Sequence, residues 1–413
     1  MIILLSKLPA SLDAQIDLPA SKSIANRLLI MRALSHSQGT IHNLSDADDT
    51  VLLQQLLGDI EATHDFTHPH RIDCHNAGSV FRFLTAFLSI APGQWLLTGD
   101  DRLLNRPIYD LVTTLRSIGA DITYQNDGNP PLLIHGQTLR NLPVVHIHAE
   151  KSSQFVSALM LIAPAIDGGL TIELGGATVS APYITMTATL LQQAGCTVIV
   201  DPHHISVKGR LSMNSVTVES DWTAASYFYA LAALADTAQL YIPNLFDHSV
   251  QGDTILIKMF EAFGINTNKT PEGLVIQHND RLQYPQTWTF DFTDCPDIAP
   301  TMACFCVAKN IRGCLHGLQT LQHKETDRIQ ALYQELTRLH ADVRIADNNT
   351  TLMIEPIDHP LDFSEPIRTY SDHRMAMAFS LFSTVTDQLK IEDPQVVSKS
   401  YPRFWENFER LYQ

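Results

Sequence analysis

Residues 111–122 read Leu111-Val-Thr-Thr-Leu-Arg-Ser-Ile-Gly119-Ala-Asp-Ile. An amphipathic helix runs up to a glycine, and a β-rich stretch follows. Glycine suits that stop because the left-handed backbone carries no Cβ penalty there. The unit recurs at Leu52–Gly58, at Leu190-Leu-Gln-Gln-Ala-Gly195-Cys-Thr-Val and at Ile257-Lys-Met-Phe-Glu-Ala-Phe-Gly264-Ile. It returns at Leu332–Leu339, followed by His340-Ala-Asp-Val, and a truncated sixth copy is the final helix from Phe404 to Leu411. Equivalent points lie roughly 60 to 76 residues apart, long enough for one βαβ-type unit. Six such units predict an α/β chain of two similar domains with three units each; a continuous solenoid would repeat more tightly. The chain is expected to cross between domains near Leu18 and near Glu219–Asp221. One domain then spans 14–221, and the other is discontinuous, 1–13 with 222–413.

The bulk numbers agree with two domains. The chain has 413 residues, and its 45% hydrophobic content supplies ample core. No apolar run approaches a membrane span, and the segment from Met1 to Pro9 has no basic leader, so a cytoplasmic protein is expected. The net charge of −16 argues against nucleic-acid and anionic-membrane partners. An anionic small molecule would therefore have to be drawn in by a local cluster of cations. The six cysteines form no Cys-x-x-Cys pair and are expected as buried, reduced thiols. Pro69 interrupts the His64, His68 and His70 group and no matched carboxylate follows, so no metal site is expected.

Cations recur where helices begin. Pro19-Ala-Ser-Lys22-Ser23-Ile-Ala-Asn-Arg27 puts Lys22 and Ser23 at a helix start, with Arg27 four residues on along the same face. Unpaired N–H groups and the positive dipole end favour an anion there. Asn76-Ala-Gly78-Ser79 precedes the apolar run from Val80, and Ser152-Ser153-Gln154 precedes the run from Phe155, each a hydroxyl- and amide-rich cap. His323-Lys324-Glu325-Thr-Asp-Arg328, Asp372-His-Arg374 and Ser398-Lys399-Ser-Tyr-Pro402 lead into further helices. Lys22, Lys324, Arg374 and Lys399 at such positions would oppose the helix dipole, a cost that a bound polyanion would offset. No Gly-x-x-x-x-Gly-Lys-Ser/Thr loop is present, which excludes a P-loop nucleotide enzyme.

In this order, the segments resemble the enolpyruvyl transferases. The landmarks are Pro-Ala-Ser-Lys-Ser-x-x-Asn-Arg, Asn-Ala-Gly-Ser-x-x-Arg-Phe-Leu, Arg106-Pro107-Ile108 and Ser-Ser-Gln-Phe-x-x-Ala-Leu. Pro182-Tyr183, Glu219-x-Asp221, Pro296-Asp297, Lys-Glu-Thr-Asp-Arg and Asp-His-Arg-Met-Ala-Met follow, so the resemblance covers about Leu18 to Tyr401. It implies an inside-out α/β barrel fold, two similar domains each built from three βαβαββ units, with the active site in the interdomain cleft. It implies transfer of the enolpyruvyl group of phosphoenolpyruvate to the 5-hydroxyl of shikimate 3-phosphate through a tetrahedral intermediate. No metal or organic cofactor is implied, and a monomer is expected.

Carried over by motif, Lys22, Ser23 and Arg27 would bind the shikimate phosphate or carboxylate, with Lys22 also touching phosphoenolpyruvate. Ser152, Ser153, Gln154, Ser180 and Tyr183 would hold the shikimate side. Gly78, Arg106, Arg328, Arg374 and Lys399 would clamp phosphoenolpyruvate, where planar guanidinium forks suit phosphate and carboxylate. Asn76 and Lys324 join the substrate contacts, as does Thr320, which lies where the family often has asparagine. Asp297 would be the base for the 5-hydroxyl and a substrate contact, and Glu325 the acid/base at the methylene, with Lys22 sharing proton transfer. Ala20 and Ser79 stand where the family usually has Gly and Thr. A sister enzyme acting on UDP-N-acetylglucosamine is the nearest alternative. It uses a Lys-Asn pair near the N-terminus and a loop cysteine, whereas Ser23 follows Lys22 here and the Gly93–Arg106 region has no cysteine. A non-catalytic phospho-metabolite binder of the same fold would be expected to lose Asp297 or Glu325, and both are present.

Overall fold

Apolar periodicity in this chain takes two forms, and each places its helix differently. Every residue from Trp222 to Ala233 in helix Trp222–Leu234 is buried, as is all of His373–Phe379. Gly78–Leu88 is buried except at Ser79, and Ser153–Ile162 except at Gln154. Helices apolar all round must sit inside, whereas one-sided helices such as Arg328–Arg338 and Tyr109–Ser117 keep a polar face for solvent. The strands alternate between buried and exposed residues, so each sheet turns one face to helices and one to water. Within each unit the helices are therefore central and the sheets outer.

The structure, a computed structural model, describes residues 1–35, 39–140, 144–148, 150, 152–176, 179–279 and 284–413. It divides into two compact units. The first is Met1–Ser21, Asp46–Asp48 and Glu219–Gln413; the second is Lys22–Ser45 and Asp49–Val218. No helix among the described residues is long and apolar enough to cross a membrane.

Four sheets share one construction. In the second unit, strands His70–Asp73 and Gly93–Thr98 run parallel around helix Gly78–Leu88. After helix Tyr109–Ser117 comes the hairpin Asp121–Asn126 and Asn129–Gly136, whose last strand inserts beside Gly93–Thr98. The spatial order is first, second, fourth, third. Strands Val145–His148, Leu170–Gly175, Thr197–Val200 and His204–Lys208 repeat it in the same unit. Thr287–Asp291, Arg312–His316, Asp342–Ala346 and Thr351–Glu355 repeat it in the first unit. The remaining copy there uses Ser11–Gln15, Thr237–Pro243, Ile265–Thr270 and Gly273–Asn279, and the second unit is inserted after its first strand.

Two copies are abbreviated. Ile41–His42 pairs in parallel with Val216–Thr217. Leu389–Glu392 pairs antiparallel with Ile2–Leu5, so the N-terminal strand supplies part of the last copy. The first and last passes between the units, after Ser21 and before Glu219, are adjacent: Ala20 bridges Ser220, and Ser21 N–H donates to the Glu219 carbonyl at 2.8 Å.

The repeated helix stop has one conformation. Gly119, Gly195 and Gly264 have φ of 99°, 89° and 81°, and His340 takes the same place at 66°. Gly58 departs from the expected pattern: it lies inside helix Asp48–Ala62 and ends nothing. Ile60 lies beyond it on the buried face with Leu53, Leu56 and Leu57. Burying that isoleucine, worth about 2 kcal/mol, outweighs the roughly 1 kcal/mol that an internal glycine costs.

Candidate active site

In the second unit, helix Lys22–Ser35 has no acid in its first turn. Lys22 Nζ instead lies 2.9 Å from Asp49 Oδ2, a buried carboxylate on the next helix. One turn further along, Arg27 is fully buried. Its Nε donates to Thr187 Oγ1 at 2.7 Å, and Nη2 donates to Ser157 Oγ at 3.1 Å and the Tyr183 carbonyl at 3.3 Å. Nη1 reaches back to the Ser23 carbonyl at 2.9 Å, and the guanidinium stacks over Phe83 and Tyr183. These partners are neutral oxygens and rings, so burial pulls the Arg27 pKa down to about 10. A desolvated cation held by neutral groups is a ready anion receptor. Asn26 joins this region, donating to Ser79 Oγ at 3.3 Å and accepting from Thr50 Oγ1 at 2.8 Å.

Three segments meet around Gly78. Arg82, one turn on, donates through Nη1 to Gln154 Oε1 at 2.8 Å and through Nη2 to the Pro107 carbonyl at 3.2 Å. A Cβ placed on Gly78 would lie 2.7 Å from Nη1 of both Arg82 and Arg106. Glycine leaves room for both guanidinium groups here, and a methyl would displace at least one of them. Arg106 Nε is buried with no hydrogen-bond partner among the described residues. Ser152 caps helix Ser153–Ile162, accepting from Gln154 N–H at 3.3 Å. Ser180 precedes helix Ala181–Gln193 in the left-handed region (φ 54°), a conformation costing a non-glycine residue about 1 kcal/mol or more. The cap position of helix Gly78–Leu88 falls to Ala77, whose side chain has nothing to cap with, and Ser79 lies inside the first turn.

In the first unit the charges converge. Asp297 lies in the turn Pro296–Ile298. Its Oδ1 is 2.9 Å from Arg328 Nη1 and 3.1 Å from Lys324 Nζ, and its Oδ2 is 3.0 Å from Arg374 Nη2. Arg328, 1% exposed, also grips Asp372 through Nε at 2.7 Å and Nη2 at 3.2 Å, and donates to Glu325 Oε2 at 2.7 Å. Lys399 Nζ stands 3.9 Å from Glu325 Oε1. Arg374 Nη1 reaches the Tyr227 hydroxyl at 3.4 Å. In these contacts among the described residues, Lys324, Arg328, Arg374 and Lys399 meet Asp297, Glu325 and Asp372, a gathering of cations that suits a further anion. Burial alone would raise the Asp297 pKa, but Arg374, Lys324 and Arg328 outweigh it and hold the carboxyl well below the usual range. Burial pushes the Lys324 pKa down. Arg328 is held above its ordinary value because Asp372, Glu325 and Asp297 outweigh its burial. Thr320 Oγ1, in the turn Gln319–His323, is buried with no partner among the described residues.

The segment that delivers Asp372 and Arg374 is strained. Asp372 N–H donates to the Thr369 carbonyl at 2.9 Å, closing a tight turn whose central residues, Tyr370 and Ser371, have φ of 54° and 55°. Turns with two positive φ angles ordinarily carry Asn and Gly. Each non-glycine residue there costs roughly 1 kcal/mol or more. Asp372 then caps helix His373–Phe379 by accepting from Arg374 N–H at 2.9 Å.

Two expected placements are corrected. Lys22 and Arg374 do sit at helix starts, but Lys399 is the last residue of the short helix Pro394–Lys399. Lys324 follows the last residue of Gln319–His323. A cation is favoured at the end of a helical turn, so these two carry no dipole penalty. Arg82 and Asp372, which stand in the motifs without an expected role, and Asp49 and Tyr227, which stand in none, also belong to the clusters. Arg82 had a signal, since Gly78-x-x-x-Arg82 repeats the spacing of Ser23-x-x-x-Arg27. Asp49 and Tyr227 had none, being brought in by tertiary contact.

Fold and cations together define an α/β protein built to hold compact, multiply anionic molecules. The EPSP synthase (3-phosphoshikimate 1-carboxyvinyltransferase) family model matches residues 7–408. A 3-phosphoshikimate 1-carboxyvinyltransferase of Bacteroides fragilis strain YCH46 is 39% identical over 416 residues, covering 97% of this chain and 96% of its own. One from Cellvibrio japonicus is 34% identical over 418 residues, with 96% of each chain covered. Among solved structures, an EPSP synthase from Acinetobacter baumannii superposes with a TM-score of 0.76 at 22% identity, over 99% of this chain and 98% of that one. The chain belongs to the EPSP synthase family.

Proposed function

We propose that the chain transfers the enolpyruvyl group of phosphoenolpyruvate to the 5-hydroxyl of shikimate 3-phosphate and releases phosphate. The observation that carries the reading is the Asp297 cluster, where a part-buried carboxylate expected to act as a base is neutralised by Lys324, Arg328 and Arg374. Held in that way, Asp297 is a poor base. An incoming phosphate and carboxylate compete for the same cations, and each ion pair loosened raises the basicity of Asp297. Binding of the anionic substrate thereby prepares the group that takes the 5-hydroxyl proton.

The oxygen then adds to C2 of phosphoenolpyruvate while a proton reaches C3, giving a tetrahedral intermediate. Loss of phosphate and of a methyl proton restores the double bond. Glu325, set against Arg328 and near Lys399, handles the proton at C3, and Lys22 shares in proton transfer. Lys22, Ser23, Arg27, Ser152, Ser153, Gln154, Ser180, Tyr183, Asn76 and Thr320 serve the shikimate side. Gly78, Arg106, Lys324, Arg328, Arg374 and Lys399 hold phosphoenolpyruvate. Arg82 joins them through its position beside Gly78.

Phosphate release from phosphoenolpyruvate tests this directly, with shikimate 3-phosphate or UDP-N-acetylglucosamine as acceptor. Turnover is expected only with shikimate 3-phosphate; turnover only with the sugar nucleotide rejects the reading. Asp297→Asn and Glu325→Gln should each lower kcat by about a hundredfold or more while changing substrate binding far less. Near-normal rates in both would show that the acid and base lie elsewhere.

A further inference from the structure

Tyr370 lies outside the two cation clusters, yet its hydroxyl ties the strained turn to the helix that carries Arg328. It donates to Glu335 Oε1 at 2.8 Å, and Gln334 Oε1 lies 3.0 Å away. Glu335 is itself 1% exposed, and its other oxygen accepts from Arg338 Nη2 and from the Arg368 N–H. Arg338 also donates to the Pro366 carbonyl at 2.8 Å. Helix Arg328–Arg338 thus grips the segment 366–370 at three points while its first residue, Arg328, grips Asp372. Tyr370 and Ser371 hold a backbone shape that neither prefers, and the next three residues deliver Asp372 and Arg374. A turn of that kind persists only where its surroundings over-determine it.

We infer that Tyr370 is a positioning residue for the reaction. Its bond to Glu335 holds the left-handed turn Tyr370–Ser371, so that Asp372 and Arg374 meet Arg328 and Asp297 in register. Burial, with Glu335 second, pushes the tyrosine pKa up to about 12, so the hydroxyl keeps its proton and remains a donor at any working pH. The kinetic part of the inference rests on the reaction assigned above, in which Arg374 binds phosphoenolpyruvate.

Tyr370→Phe removes the hydroxyl and keeps the ring. Its kcat/KM for phosphoenolpyruvate should fall about tenfold, the size of one hydrogen bond to a charged group, with KM for shikimate 3-phosphate within about twofold. The melting midpoint should fall by less than about 3 °C. Adding Ser371→Gly, which removes the left-handed penalty at that position, should recover much of the loss. A merely structural tyrosine would instead lower the melting midpoint and both substrate parameters together, without rescue by glycine. That pattern, or unchanged kinetics in Tyr370→Phe, overturns the inference. A crystal structure of Tyr370→Phe reads the turn without turnover. The backbone should leave the left-handed region and Arg374 should move away from Asp297; an unchanged turn also overturns the inference. If the wild-type chain shows no turnover with shikimate 3-phosphate, the assigned reaction fails, while this structural measurement still decides the role of Tyr370.

Discussion

A methyl group at position 78 would lie 2.7 Å from one nitrogen of Arg82 and one of Arg106. Gly78→Ala must therefore push at least one guanidinium aside. KM for phosphoenolpyruvate is expected to rise about tenfold or more, as for loss of one charge-assisted hydrogen bond, with KM for shikimate 3-phosphate little changed. Steady-state phosphate release with each substrate varied in turn separates the two. Arg27 shows the complementary case, a buried cation whose neighbours are neutral. The positions of Arg27, Asp297, Glu325 and Arg328 were legible because their motifs fix their sequence context. Asp49 was not, since a carboxylate 27 residues from Lys22 acquires meaning only once the second helix packs against the first.

At the scale of the element, the same helix stop appears with glycine at 119, 195 and 264 and with histidine at 340. His340 is exposed, and its left-handed backbone carries a penalty that glycine would not. His340→Gly should raise stability by about 0.5–1 kcal/mol, read as a higher denaturation midpoint with activity unchanged. The helix starts carry a related lesson. Cations before an apolar run look alike in sequence, but Lys22 begins a helix whereas Lys399 ends one. Short turns such as Pro394–Lys399 have too few residues to show a periodicity of their own.

For the whole molecule, two acids of the first unit respond to pH with opposite sign. Asp253 accepts a hydrogen bond from Thr223 Oγ1, and burial pushes its pKa up to about 7. Below about pH 4 it is protonated in both the folded and unfolded chain. Between there and about 7 only the unfolded chain releases the proton, so this contribution to stability is lost as pH rises. Asp253→Asn should therefore melt higher than wild type at pH 8 and nearly level with it at pH 4, by thermal unfolding at the two values. Equal offsets at both would contradict the burial effect. Asp297 runs the other way. Its lowered pKa stabilises the fold above the ordinary carboxylate range, and that contribution is lost on strong acidification as pH falls through the folded-state value.

The amino-acid sequence by itself determined the α/β class, the recurring unit with its left-handed stop, and the residue types able to hold anions. These follow from local periodicity and from backbone preferences that act over a few residues. Only the tertiary structure decided which carboxylate neutralises which cation, that the N-terminal strand completes the last copy, and that Gly58 lies inside a helix. It alone places Tyr370 on Glu335, thirty-five residues away, beside the turn that presents Arg374. The reason is physical: partners in an ion pair or a sheet are chosen by packing between distant segments, and local sequence spacing does not encode that choice.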